Sequence, residues 1–204
     1  MKSIVALFVA AIVASPVLAA DPKPTKPDPA KGQQIASEVC GACHSFDGSR
    51  GTPANPILAG QHPEYLVKQL HDFKSGARAS DIMSGFAATL SDQDVLDVAA
   101  FYASKSAKAG FAHDKATLQL GERIYRAGIA DRQIAACAGC HSPNGVGIPK
   151  QYPRVAGQHG DYTQTQLQAF RAGERANSPQ MIDVAARMND REIKAVADYM
   201  AGLR

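Results

Sequence analysis

Tryptophan is absent from the 204 residues, and aromatic side chains make up only 6%. A core assembled mainly from large rings is therefore excluded. β-Branched runs are scarce after residue 20 while alanine is abundant, which disfavours sheet and favours helix. No charge of one sign dominates: 22 basic against 19 acidic residues leave a formal net charge of +3. That balance excludes the broad basic field of a nucleic-acid binder and leaves no acidic tail. Hydrophobic residues at 45% and charged residues at 20% exclude wholesale disorder. Only one long apolar run exists, at the N-terminus, so no second segment could make an integral membrane protein. Cysteine is sparse as well, four in all, and the placement of those four carries the functional reading.

The N-terminal run reads as an address. Residues 1–19 combine Lys2, an apolar core from Ile4 to Val13, the helix-breaking Pro16 and the small-residue site Val17-Leu18-Ala19. The run is short for a spanning helix, which needs about 20 residues. It predicts a cleavable signal peptide ending at Ala19 or Ala20, and so a periplasmic protein. Residues 20–30 hold four prolines and predict an extended spacer.

Beyond the spacer the chain repeats itself. A shift of 97 residues lays Cys40-Gly41-Ala42-Cys43-His44-Ser45 on Cys137-Ala138-Gly139-Cys140-His141-Ser142. The same shift matches Pro56 with Pro153, Ala59-Gly60-Gln61-His62 with Ala156-Gly157-Gln158-His159, Tyr65 with Tyr162, Gln69-Leu70 with Gln166-Leu167, and Arg78 with Arg175. One inserted residue near Ser178 raises the shift to 98, and Met83 then meets Met181. The second copy carries a longer segment, Gly128 to Ala136, ahead of its first cysteine. Two domains are implied, at 31–106 and 117–204, joined by a linker at 107–116. Leu66, Leu70 and Phe73 share a helical face behind Pro63, and Ser91 with Asp94 begins another helix as a capping box. Loops as long as 45–62 and 142–161, in lobes so poor in large apolar side chains, call for a large bound group to complete the core.

All four cysteines fall in two C-x-x-C-H runs, the attachment signature of haem c. Two thiols three residues apart on a helical turn reach the two vinyl groups, and the adjacent histidine lies beneath the iron. A zinc site would not need a histidine after both pairs. A thioredoxin-like pair would need a βαβ context, and two local disulfides would staple little. Cys40, Cys43 and His44 thus form one attachment site, and Cys137, Cys140 and His141 the other. For the sixth ligand, Met83 is the single methionine of the first copy after signal removal, and Met181 is its repeat partner. Met188 and Met200 fall opposite Leu90 and Tyr102 and read as core. His62 and His159 recur in Gly-Gln-His turns and fit loop or cap roles better than a bis-histidine iron. His71 falls opposite Gln168 and His113 has no partner, so both read as surface residues. A carbonyl near Pro56 and Pro153 suits the imidazole N–H. Arg78 and Arg175 suit haem propionates or a solvated loop equally.

These residues together resemble the dihaem cytochrome c4 family over residues 31–204. The resemblance implies an all-α fold of two class I cytochrome c domains in tandem, related by a pseudo-twofold axis. It implies thioethers at Cys40, Cys43, Cys137 and Cys140, with His44/Met83 and His141/Met181 as iron ligands. It also implies a periplasmic electron carrier, soluble or loosely membrane-associated, rather than an enzyme. The acceptor would be a haem–copper terminal oxidase, and the donor a membrane-bound quinol-oxidising complex or another cytochrome. Two other readings compete: the dihaem subunit of a periplasmic dehydrogenase, and a dihaem peroxidase, which would need a displaceable ligand on one iron. Residues 20–110 hold 9 basic and 10 acidic side chains, and residues 111–204 hold 12 and 9. The C-terminal half is therefore expected to dock an acidic partner through Arg171, Arg175 and Arg187, with a basic donor at the N-terminal half.

Overall fold

The computed structural model describes residues 25–204. The expected signal peptide at 1–19 and residues 20–24 of the expected spacer lie outside the described residues. The first lobe consists of α1 (Pro29–Ile35), one wide helical turn over Ala36–Cys40, α2 (Gly41–His44), α3 (Pro63–Ser75), α4 (Asp81–Ala88) and α5 (Asp92–Ala103). The second repeats it with α6 (Leu118–Ala127), α7 (Ala138–His141), α8 (Gly160–Ala172), α9 (Pro179–Ala186) and α10 (Asp190–Gly202). No strand occurs among the described residues, and two isolated antiparallel bridges, Ile129–Ile134 and Ile148–Tyr152, close loops of the second lobe. No helix among these residues is long and apolar enough to cross a membrane.

Helix ends obey local chemistry in both lobes. Ser91 and Asp94 form a reciprocal capping box at the start of α5, as Asn189 and Glu192 do for α10. Gly76 and Gly173 end α3 and α8 in the left-handed conformation, at φ 79° and 78°. The first and last helices of each lobe cross at a glycine. A side chain on Gly32 would lie 2.1 Å from the Asp97 carbonyl oxygen, and one on Gly121 2.2 Å from that of Ala195. Around those crossings sit two cores: Ala36, Leu66, Val98, Phe101 and Tyr102 in the first lobe, and Ile124, Tyr125, Leu167, Met188, Ile193, Val196 and Met200 in the second.

One detail differs from the sequence reading, and the longer segment ahead of Cys137 is found where it was expected. The proline-rich stretch read as a spacer to residue 30 ends in helix, because Asp28 caps α1 through Ala30 N at 2.9 Å and Pro29 takes the first position. Its backbone is also anchored on α5, with Asp28 N donating to Asp97 Oδ1 at 2.7 Å and Thr25 N to Gln93 Oε1 at 2.6 Å. The first lobe runs from α1 into α2 without a break, whereas the second separates α6 from α7 by a loop with one short turn at Ala130–Arg132.

Candidate functional site

Each C-x-x-C-H run occupies a single turn of helix, α2 or α7, that ends at its histidine. The next serine in each copy, Ser45 at φ 61°, ψ 152° and Ser142 at φ 67°, ψ 154°, takes a conformation that is costly for a residue with a side chain. This sharp exit turns the chain away and leaves the imidazole inside. None of the four cysteines forms a disulfide; Cys43 and Cys140 are exposed, and Cys40 and Cys137 half-buried. Burial pushes the Cys40 thiol up and the Cys137 thiol up to about 12, so neither is an activated thiolate.

His44 and His141 are buried, and their Nδ1 atoms lie 3.0 and 2.9 Å from the Pro56 and Pro153 carbonyl oxygens. A carbonyl only accepts, so Nδ1 carries the proton and Nε2 presents its lone pair. Burial lowers both imidazole pKa values, and the carbonyl bonds oppose that only partly, which favours the neutral, ligating form.

These side chains border one continuous cavity of about 1150 Å³ that runs through both lobes. Its volume exceeds the roughly 300–1,000 Å³ of a single small-molecule pocket. Met83 and Met181 line it from α4 and α9. Both are half-buried at the third helical position, where the N-cap serine, Ser80 or Ser178, accepts the methionine amide. Met188 and Met200 also border the cavity but are 4% exposed and belong to the second core. The donor set in each lobe, two thiols, a neutral imidazole and a thioether on a largely apolar cavity, fits a covalently held haem. His71 and His113 lie outside the cavity lining; His71 faces Asp92 at the surface.

Arg78 and Arg175 are not solvated loop residues. Both are 7% exposed and cross-link the lobes. Arg78 donates to Gln69 Oε1, Tyr162 Oη and Gln166 Oε1 at 2.7, 2.9 and 2.7 Å. Arg175 mirrors it, donating to Gln166 Oε1, Tyr65 Oη and Gln69 Oε1 at 2.7, 3.1 and 3.1 Å. Each lies over its own lobe's phenylalanine, Phe73 or Phe170, at 4.5 and 4.4 Å. Asn177, the extra residue of the second copy, adds bonds to Gln69 and Asp72 of the first lobe at 3.1 and 2.6 Å. The expected basic face on the second lobe is likewise corrected. Arg175 is interior, Arg171 binds Asp190 and the Met188 carbonyl, and Arg187 is paired bidentately with Asp183. Residue pairing by repeat had marked the tyrosines, glutamines and arginines, but not that each reaches into the other copy.

Comparison with known proteins matches both halves. The model for cytochrome c covers residues 118–204, and that for cytochrome c oxidase, cbb3-type, subunit III covers residues 27–101. Cytochrome c4 of Thiocapsa roseopersicina is 46% identical over 180 residues, which is 86% of this chain and 93% of the relative. A thiosulfate dehydrogenase electron acceptor of Stutzerimonas stutzeri is 38% identical over 84% of this chain and 82% of its own length. The crystal structure of reduced recombinant cytochrome c4 from Pseudomonas stutzeri superposes with a TM-score of 0.82 at 41% identity, covering 87% of this chain and all of that one.

Proposed function

The chain belongs to the cytochrome c4 family, and from that premise we propose that it works in the periplasm, passing electrons from a membrane-bound donor to a haem–copper terminal oxidase. It is a dihaem electron-transfer protein with one covalent haem c in each cytochrome c domain. In our reading Cys40 and Cys43 hold one haem and Cys137 and Cys140 the other. His44 and Met83 would hold the iron in the first lobe, and His141 and Met181 in the second. The bound haem supplies a one-electron iron couple, which a histidine–methionine pair tunes toward higher potential. The residues of the chain do the rest. The Pro56 and Pro153 carbonyls hold the imidazole planes and keep Nε2 free of its proton. The Ser80 and Ser178 caps fix the first turns of α4 and α9 and so the methionine backbones. A nitrogen and a sulfur donor in each lobe would hold the haem iron, and electron transfer is the chemistry such a site would supply.

The observation that carries this reading is the duplicated set of donors around one cavity shared by both lobes. Its test is direct reduction of the isolated oxidase. Fully reduced protein mixed with a haem–copper oxidase should be reoxidised by oxygen in a salt-dependent, second-order reaction. No reoxidation beyond the oxidase-free control would reject the acceptor. A second reading, electron acceptor of a periplasmic dehydrogenase, draws on the similarity to thiosulfate dehydrogenase electron acceptors. Reduction by thiosulfate dehydrogenase with thiosulfate, at a rate exceeding that with a quinol-oxidising complex, would favour it.

A further inference from the structure

Two glutamines tie each lobe to the backbone of the other. Gln158 Oε1 accepts from Ile57 N at 2.8 Å, and its Nε2 donates to Ile57 O at 3.0 Å. Gln61 does the same to Arg154, with N to Oε1 at 2.8 Å and Nε2 to O at 2.9 Å. Each Oε1 also takes the amide of the next residue in its own chain, His62 at 3.0 Å or His159 at 2.9 Å. Three backbone partners thus fix which end of each carboxamide is oxygen, since a flip would set N–H against N–H.

The clamped peptides are not arbitrary. The Ile57 N–H belongs to the same peptide unit as the Pro56 carbonyl, the acceptor of the His44 imidazole proton. The Arg154 N–H likewise shares its peptide with the Pro153 carbonyl that accepts from His141. A chain of hydrogen bonds therefore runs from Gln158 of the second lobe, through one peptide, to His44 of the first, and a mirrored chain runs from Gln61 to His141. Drawing on the N–H side of a peptide enriches its carbonyl oxygen and strengthens it as an acceptor. A stronger acceptor on Nδ1–H makes Nε2 the better donor to a metal.

We propose that Gln61 and Gln158 are positioning residues that act across the lobe interface, each setting the donor strength of the other lobe's histidine. The electronic state of each iron site is then linked to docking of the opposite lobe, and the two sites are tuned as a pair. This rests on His44 and His141 being the iron ligands. Paramagnetically shifted imidazole resonances from both histidines in the unaltered holoprotein test that premise separately from the coupling between lobes.

The experiment is a redox titration of the holoprotein in which NMR assigns each couple to its lobe. Gln158→Leu should weaken the His44 hydrogen bond, moving its Nδ1–H resonance upfield and favouring reduction in the first lobe by about threefold. The second lobe, which carries the substitution, should hold its couple. Gln61→Leu should give the mirrored result at His141. Gln158→Glu keeps an acceptor for Ile57 N and places a charge on it, so the first-lobe couple should move the opposite way. If Gln158→Leu does not fold, the sign of the Gln158→Glu shift and of the His44 resonance still decides. A shift confined to the substituted lobe, an equal shift in both, the same direction for Leu and Glu, or an unmoved His44 resonance would overturn the proposal.

Discussion

At the residue scale the second copy offers three methionines to one iron, and their surroundings separate them. Met181 stands at a serine-capped third helical position, as Met83 does in the other lobe, whereas Met188 is packed among Leu167, Ile193 and Val196. Replacing Met83 or Met181 with alanine should each remove about half of the far-red absorbance of oxidised iron–methionine bonding, read against unaltered protein. Met188→Ala should leave that band whole and cost about 2–5 kcal/mol of stability in denaturant unfolding. His159 supplies a pH dependence. Its Nε2 is buried without a partner, and burial followed by the nearby Arg50 lowers its pKa, with Asp161 opposing. The unfolded chain therefore binds the proton more tightly than the folded one. Stability is full above the ordinary histidine pKa of about 6.5 and falls as the pH drops from there toward the folded value. His159→Gln should flatten the loss of thermal stability across that window; an unchanged slope would assign the loss elsewhere. That the cysteines, their histidines and the methionine pair border one cavity was legible, because one motif and one repeat register locate them. The work of Gln61 and Gln158 was not, since their partners lie 93 and 101 residues away and are backbone atoms.

At the scale of elements, each lobe depends on one close helix crossing. α1 meets α5 over Gly32, and α6 meets α10 over Gly121, with room for a hydrogen and no more. The sequence holds the signal, Gly32-Gln33-Gln34-Ile35 against Gly121-Glu122-Arg123-Ile124, but at a spacing of 89 rather than 97. The longer segment before Cys137 displaces the register, so one fixed shift does not find the pair. Gly121→Ala gains about 1 kcal/mol of helix propensity and forces a methyl group against the Ala195 carbonyl. The strain of overpacking, about 1–3 kcal/mol or more, should win, lowering the denaturation midpoint without changing the slope of the transition. A midpoint at or above that of the unaltered protein would show that the helices can separate cheaply. The start of α1 was half legible for a related reason. Asp28-Pro29 is a good cap and first residue, but the surrounding prolines read as extended chain. What overrides them is tertiary, the grip of Asp97 on the Asp28 amide. Asp198 of α10 grips the amides of His113 and Asp114 at 2.8 and 3.0 Å in the same manner, so each lobe's last helix fixes the segment that enters it.

At the scale of the whole molecule, composition alone misplaced the arginines. A surplus of positive charge in one half counts residues and not their surroundings, and a repeat cannot say whether matched residues face solvent or each other. Arg175 meets Tyr65 and Gln69 of the first lobe and Gln166 of its own, and Arg78 meets their counterparts, so the pair stitches the lobes together around the pseudo-twofold axis. Arg171 and Arg187 are neutralised by carboxylates at the surface. The three should therefore separate in a calorimeter. Arg187→Glu and Arg171→Glu change exposed pairs and should shift stability by no more than about 1 kcal/mol, leaving one cooperative transition. Arg175→Leu takes the donor from the Tyr65 hydroxyl and one donor from each carboxamide, which Arg78 still serves, at about 1–3 kcal/mol for the hydroxyl left unpaired at a buried seam. That loss falls on the contact between lobes and not on either core, so the single transition should split into two as the lobes unfold independently. One cooperative transition at an unchanged temperature in Arg175→Leu would mean that the glutamine clamps alone couple the lobes, and that the buried arginines serve the cavity instead.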